Sequence, residues 1–209
     1  MCNTRSNQLA LPLPSLCHPF QKLRHIYIME KNIQEKDDEF YMTFVTLNVE
    51  DCLFRVPRCT LESQSQIFRD MFSLPVPKSE PLEGSTNENP LFLPGIEAQE
   101  FRLLLGVLFT SAFGPQKNLP KSPDEWLSVI KLARMWEFDD IHKSSVKMVP
   151  YHSVKKSPVE KVALAFQHDI KEWLVPGLDE LAKRPEPIGI GDVDLLGLDV
   201  ALKVNRVVG

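Results

Sequence analysis

The sequence predicts an α+β fold, in which a small mixed sheet is capped by a cluster of helices and followed by a C-terminal helical extension. Apolar and polar residues alternate after Phe44, as in a strand with one buried face. Beyond Phe101 the apolar spacing changes to the 3.6-residue period of a core-facing helix. Strand patterns followed by helix patterns in one chain indicate an α+β architecture.

The composition of the chain is that of a globular protein. Its 209 residues are 43% hydrophobic and 25% charged, enough to bury a core without disulfides. No uncharged apolar run approaches the ~20 residues of a membrane span, so we expect no membrane partner. A net charge of -4 leaves no overall positive field for phosphates, so we expect no nucleic-acid partner either. The four cysteines have neither CxxC nor zinc spacing, which favours free thiols and an intracellular location in the cytoplasm, the nucleus or both.

Residues 1–39 are predicted to be a disordered or extended N-terminal tail. Residues 1–28 contain three basic side chains and no acid, as a transit peptide does, but three prolines would break the amphipathic helix that such a peptide forms. Residues 30–39 are polar and charged. Another interpretation is that residues 1–28 are an upstream extension and that Met29 is the natural start of the chain.

A β-hairpin opens the predicted domain, which we place at residues 40–150. The alternation from Phe44 to Val49 predicts one strand, and Leu53 to Val56 predicts a second strand after a turn at Asp51. One or two short helices are predicted over Thr60–Phe72, with an interruption at Ser63 or Ser65.

A long surface loop and a third strand follow the helix pair. Residues Leu74 to Pro90 are rich in proline, glycine and asparagine, which are turn formers. Leu91–Leu93 is short, apolar and bounded by prolines, as a buried strand pairing with the hairpin would be.

The second half of the chain is predicted to be helical. An apolar stripe runs from Phe101 to Ala112, and a shorter helix is predicted over Ile141–Val149. Ser122 and Ser157 each precede a proline and lie three residues before a glutamate, so we interpret both as helix N-caps rather than as phosphorylation sites. The three tryptophans are expected to be core residues rather than interface anchors: Trp126, Trp136 and Trp173.

Residues 151–209 are predicted to be the helical C-terminal extension. It is interrupted at Arg184–Pro187 and ends in an amphipathic piece from Asp199 to Val208. Gly189-Ile190-Gly191 is a lone GxG with no strand before it, so we expect a turn rather than a phosphate cradle.

Several segments of the sequence resemble those of a known family. Four of them lie in the order of the predicted hairpin, helix pair and first long helix: Phe54–Pro57, Ile67–Phe72, Phe101–Leu105 and Leu108–Thr110. Together they resemble the BTB/POZ domain. Two further segments are similar to segments of the stand-alone BTB proteins of mushroom-forming fungi: Trp126–Ile141, and Arg184–Pro187 followed by Gly197-Leu198.

The resemblance covers residues 40–208 and implies a function based on protein contact. It implies self-association, with a homodimer as the expected form, and binding of an unidentified protein. In some members it implies docking on the cullin scaffold of ubiquitin ligases. Those members often place a hydrophobic residue two positions before a glutamate in the loop after the helix pair. In this loop the residues at that offset are not of that kind: Lys78 before Glu80, Pro81 before Glu83, and Thr86 before Glu88.

From the family resemblance we also predict a face through which two copies of the chain associate. In the family, the segment before the first strand can exchange between subunits and extend the sheet. The residues we assign to this face are Phe40, Tyr41, Phe44, Phe68 and Met71.

Catalysis finds little support in the sequence. The five histidines are scattered, and His168 is interpreted as an exposed helix end. Cys52 and Cys59 are interpreted as small buried side chains. No GxSxG, HExxH or Walker motif occurs. We therefore predict no catalytic residue, cofactor or metal, with a cullin adaptor and an uncharacterised enzyme as alternative functions.

Overall fold

The computed structural model describes residues 35–75, 82–110 and 119–208. The chain divides into two compact units between Tyr41 and Met42. In the described part of the first unit, the Asp37 carboxylate accepts hydrogen bonds from the backbone N–H groups of Glu39 and Phe40. All the elements below belong to the second unit.

A three-stranded mixed sheet forms the first layer of the second unit. Its strands are β1 (Phe44–Val49), β2 (Cys52–Pro57) and β3 (Leu91–Phe92), in the order β2-β1-β3. The antiparallel hairpin and its turn are confirmed, and Glu50 takes the positive φ of the turn. β3 pairs with β1 in parallel, so a small mixed sheet is confirmed.

Helices form the rest of the unit, and the predicted α+β class is confirmed. Two short 3-10 turns, Tyr151–Ser153 and Lys171–Trp173, lie among them. In chain order the α-helices are α1 (Arg58–Gln64), α2 (Gln66–Ser73), α3 (Ala98–Leu108), α4 (Pro123–Met135), α5 (Asp139–Lys147), α6 (Pro158–Gln167), α7 (Leu174–Ala182), α8 (Ile190–Leu196) and α9 (Leu198–Val208).

Ser65 separates α1 from α2, at one of the two predicted interruptions. Its hydroxyl accepts from the backbone N–H of Phe68 and donates to the carbonyl of Trp136, 71 residues away. The side chain is fully buried. One hydroxyl therefore caps α2 and ties the helix pair to the end of α4.

The two serine N-caps are also confirmed. The hydroxyl of Ser122 accepts from the N–H of Glu125, and that of Ser157 accepts from the N–H of Glu160. Glu160 returns a bond, because its carboxylate accepts from the N–H of Ser157 at 2.7 Å. Hydrogen bonds from Ser157 hold the pKa of Glu160 below its usual value.

Three buried apolar clusters connect the layers. The first lies between the core face of the sheet and helices α1 to α4, and Trp136 belongs to it. The second joins α4 and α5 to α6 and contains Trp173, whose indole N–H donates to the carbonyl of Val149 at 3.1 Å. The third joins α6 and α7 to α8 and α9. Trp136 and Trp173 are therefore core residues as predicted, whereas Trp126 is only half-buried.

The predicted turn at Gly189-Ile190-Gly191 is wrong, because Ile190 and Gly191 begin helix α8. Gly189 is its N-cap, and the carboxylate of Asp192 accepts from the Gly189 N–H at 3.0 Å. The guanidinium of Arg184 holds the same carboxylate at 2.6 Å and lowers the pKa of Asp192. Asp192 therefore caps this helix at the same three-residue spacing as the glutamates of α4 and α6, and Arg184, on the other side of the proline-containing connection, holds its carboxylate in place.

The side-chain exposure predicted for two residues is also wrong. His168, expected at an exposed helix end, is buried at 8% relative exposure where α6 packs on α4 and α5. Cys59, expected to be buried, is exposed, and Cys52 is half-buried; both are free thiols. The other two cysteines lie outside the described residues.

The burial of His168 predicts a pH-dependent stability. Burial, and after it the positive charges of Lys131 and His142, lowers the pKa of His168 from its ordinary value of 6.5. Because the unfolded chain then binds the proton more readily, this contribution to stability is present above about pH 6.5 and is lost as the pH falls toward the folded-state pKa. We expect the melting temperature to fall in this window, and His168→Gln to flatten the fall.

Differential scanning fluorimetry against pH measures this effect. The matched control is His152→Gln, since His152 is exposed and should leave the wild-type slope unchanged. A His168→Gln variant with the wild-type slope would contradict the assignment.

Candidate interaction surface

The sheet has one face in the core and one face turned away from it. Val45, Leu47 and Val49 point into the first cluster, so the alternate residues of β1 lie on the opposite side, which we call the outer face. The register places Leu53 of β2 and Phe92 of β3 on either side of Asn48. Three neighbouring strands thus contribute one row of side chains to the outer face.

Exposed apolar side chains dominate the outer face. Phe44, Leu53 and Phe92 expose 48%, 48% and 56% of their surface. Arg55 is the charged residue among the strand residues of this face, and its guanidinium carbon lies 5.8 Å from the centroid of the Phe44 ring. Aromatic and aliphatic side chains beside an arginine are the composition that protein interfaces favour.

Two polar atoms of the outer face are already removed from solvent. The hydroxyl oxygen of Thr46 and the side-chain oxygen of Asn48 are buried and have no hydrogen-bond partner among the described residues. Their desolvation is a cost that folding has already incurred. A partner that covers this face therefore adds no further desolvation cost at these two atoms.

The five residues predicted for a self-associating face lie in different environments. Phe44 lies on the outer face, and Met71 of α2 is half-buried against the first cluster. Phe68 is fully buried, so the structure corrects its placement: it belongs to the core and offers no surface. In the first unit, Phe40 and Tyr41 are 72% and 57% exposed, and the Lys36 ammonium lies 4.6 Å from the centroid of the Tyr41 ring.

Leu53 and Phe92 are contact candidates that the sequence analysis missed. The expectation of a buried third strand is wrong for Phe92, although Leu93 is buried. The signal was available, because a period of two that puts Leu91 and Leu93 inward puts Phe92 outward. Leu53 follows from the hairpin register in the same way, since it lies opposite Asn48.

The loop before β3 falls partly outside the described residues, which include neither Lys78, Glu80 nor Pro81. Within the described part, Thr86 is exposed and its hydroxyl accepts from the N–H of Asn89 at 3.2 Å. The residue two before Glu88 is therefore a polar turn former rather than an apolar anchor.

A charged cleft of about 300 Å³ lies where α5 meets the residues after α6. Basic and acidic side chains alternate around it, and His142 is among its lining residues. The His142 Nε2 donates to the carbonyl of His168 at 2.7 Å, so this ring nitrogen holds two helices together. Within residues 35–75, 82–110 and 119–208, no group of three or more His, Cys, Asp or Glu side chains is placed to hold a metal ion.

In the part of the chain that the structure describes, no helix has the length and apolar character needed to cross a membrane.

Comparison with known proteins identifies one family. A family model for the BTB/POZ domain matches residues 33–153, which is more than half of the chain. No curated protein matches the chain significantly. The narrower resemblance to fungal stand-alone proteins stays a prediction.

Proposed function

The chain belongs to the BTB/POZ domain family, whose domain is a general protein–protein interaction module, and from this premise we propose that it forms a homodimer through its outer sheet face. In this proposal the interaction domain corresponds to residues 40–150 and the helical extension to residues 151–209, whose described helices α6 to α9 pack through the second and third clusters. The remaining surface holds an unidentified partner protein.

The outer face is the surface that supports this proposal. It carries three large exposed apolar side chains: Leu53 and Phe92 flank Asn48 in one cross-strand row, and Phe44 lies on the same face four residues before Asn48 in β1. In a two-fold dimer the same patch meets itself, so the exposed apolar side chains of one copy face the same kind of surface on the other. The exposed rings of Phe40 and Tyr41, which belong to the first unit, are proposed as contact residues in their own right.

The outer face predicts the effect of one substitution on self-association. Phe92→Asp places a carboxylate on the apolar row, and its desolvation should weaken dimerisation at least about tenfold. Sedimentation velocity on the full chain measures this effect, with the wild type expected at twice the 23.9 kDa chain mass. The matched control is Val175→Asp, because Val175 is 77% exposed on α7 and should leave the dimer intact.

Two outcomes would exclude the outer face as the contact. One is a monomeric wild type, and the other is a Phe92→Asp variant that dimerises as tightly as the wild type. Alanine at Phe40 and Tyr41 tests their part separately: an unchanged size in light scattering removes them from the contact.

A cullin adaptor is the alternative function within the same family. Cullin-binding members often place a hydrophobic residue two positions before a glutamate in this loop. In this chain the described residue two before Glu88 is Thr86, which is polar and whose hydroxyl accepts from the N–H of Asn89, and this argues against cullin binding. A pull-down with purified cullin scaffold separates the two functions. We expect no retention of the chain, and retention would favour the adaptor.

A further inference from the structure

We propose that a groove between α3, α4 and α5 binds a small organic amine with a compact apolar body. This groove is distinct from the outer sheet face and has a cavity volume of about 570 Å³. Cavities of about 300–1,000 Å³ are typical of small-molecule sites. Its apolar lining residues include Val107, Trp126 and Ile141 from α3, α4 and α5, and Leu119 and Pro120 from the connection before α4.

The hydroxyl of Ser145 lies unpaired beneath the wall of the groove. Ser145 lines the groove and is fully buried, and its Oγ has no hydrogen-bond partner among the described residues. Buried hydroxyls are nearly always paired, because an unpaired one leaves its desolvation uncompensated. Because Ser145 has no exposed surface, its hydroxyl makes no contact with a ligand in the groove, which offers its apolar walls and Asp140 instead.

Asp140 determines the sign of the charge that the groove favours. It is the charged residue among the described residues that line the groove, and it is exposed at the start of α5. No salt bridge or side-chain hydrogen bond to Asp140 occurs within the described part of the chain. A carboxylate beside apolar walls attracts an ammonium and repels an anion. An apolar body with an ammonium group therefore matches both features.

The neighbouring aspartate provides a matched control. Asp139 precedes Asp140 in α5 but lines the charged cleft with Arg134 and Lys143 instead of the groove. Neutralising either aspartate changes the net charge of the chain by the same amount. A difference between the two variants therefore reports the groove rather than the overall charge.

Protein-observed NMR titration of the full chain tests the proposal, with 2-phenylethylamine as the probe and 3-phenylpropionate as its anionic counterpart. We expect the amine to bind at least about tenfold more tightly than the acid, with shifts at the indole N–H of Trp126. Asp140→Asn should weaken amine binding about fivefold, and Asp139→Asn should change it less than about twofold.

Two further variants address the shape of the groove and the buried hydroxyl. Ser144 is exposed and lines the groove, so Ser144→Trp should fill it and abolish binding while the chain stays folded. Ser145→Ala should leave amine binding within about twofold of the wild type and should not lower the melting temperature, because the buried hydroxyl contacts no ligand and has no partner to lose.

The proposal is overturned by any of four results. These are no binding of the amine, equal affinity for amine and acid, equal losses in Asp140→Asn and Asp139→Asn, or undiminished binding in a folded Ser144→Trp variant.

Discussion

Truncating Phe68 to alanine is expected to lower the free energy of unfolding by about 3–5 kcal/mol. The ring is fully buried, and its centroid lies 5.8, 5.5 and 5.8 Å from those of Phe72, Trp136 and Phe138. Removing it leaves a cavity at the junction of α2 with the end of α4. The backbone cannot close this cavity, because Ser65 ties the start of α2 to Trp136. Urea denaturation monitored by circular dichroism measures the loss.

The matched control is the preceding residue of the same helix. Ile67 is 36% exposed, so Ile67→Ala should lower the free energy of unfolding by less than about 1 kcal/mol. Equal losses in the two variants would mean that Phe68 is not a core residue. Its predicted role in self-association would then need to be considered again.

Replacing Gly177 with alanine is expected to destabilise the fold, although helix propensity alone predicts a gain of about 1 kcal/mol. Gly177 lies inside α7, and an added Cβ would lie 2.5 Å from the Cγ2 of Val162 and 3.5 Å from the Cε2 of Tyr151. Val162 is fully buried and branched at Cβ, so it has little freedom to move away. We expect a net loss of about 1–3 kcal/mol, because overpacking forces α6 and α7 apart.

Gly191 provides the opposite case. It lies in α8, and an added Cβ would meet nothing within 4 Å, so Gly191→Ala should raise the free energy of unfolding by up to about 1 kcal/mol. Thermal and urea unfolding of both variants test the difference in sign. A gain in stability from both substitutions would contradict the close approach of α6 and α7.

The features that the sequence predicts well are those whose causes are local. The hairpin follows from alternation along β1 and a turn of two residues, and both serine caps follow from a serine and a glutamate three residues apart. Phe44 was assigned to a contact face from the family resemblance, and the alternation along β1 turns it outward as well. The register that adds Leu53 to the outer face was also within reach of the sequence.

Features that depend on distant residues were predicted poorly. Helix α8 begins where a turn was expected, because Arg184 and Asp192 close a network around its N-cap. His168 is buried because α4 and α5 pack against the end of α6. The groove beside Asp140 requires three helices to meet, so no pattern within one helix could reveal it.

By itself, the sequence determined the order and kind of most elements, the caps that start α4 and α6, and the membership of the chain in an interaction family. Only the tertiary structure decided which apolar side chains remain available to a partner. Phe68 and Phe92 are both aromatic residues in apolar patterns, yet one is enclosed by three rings and the other lies open on an outer strand. The reason is physical: a residue's local period gives the direction of its side chain, but burial depends on what other segments pack above it.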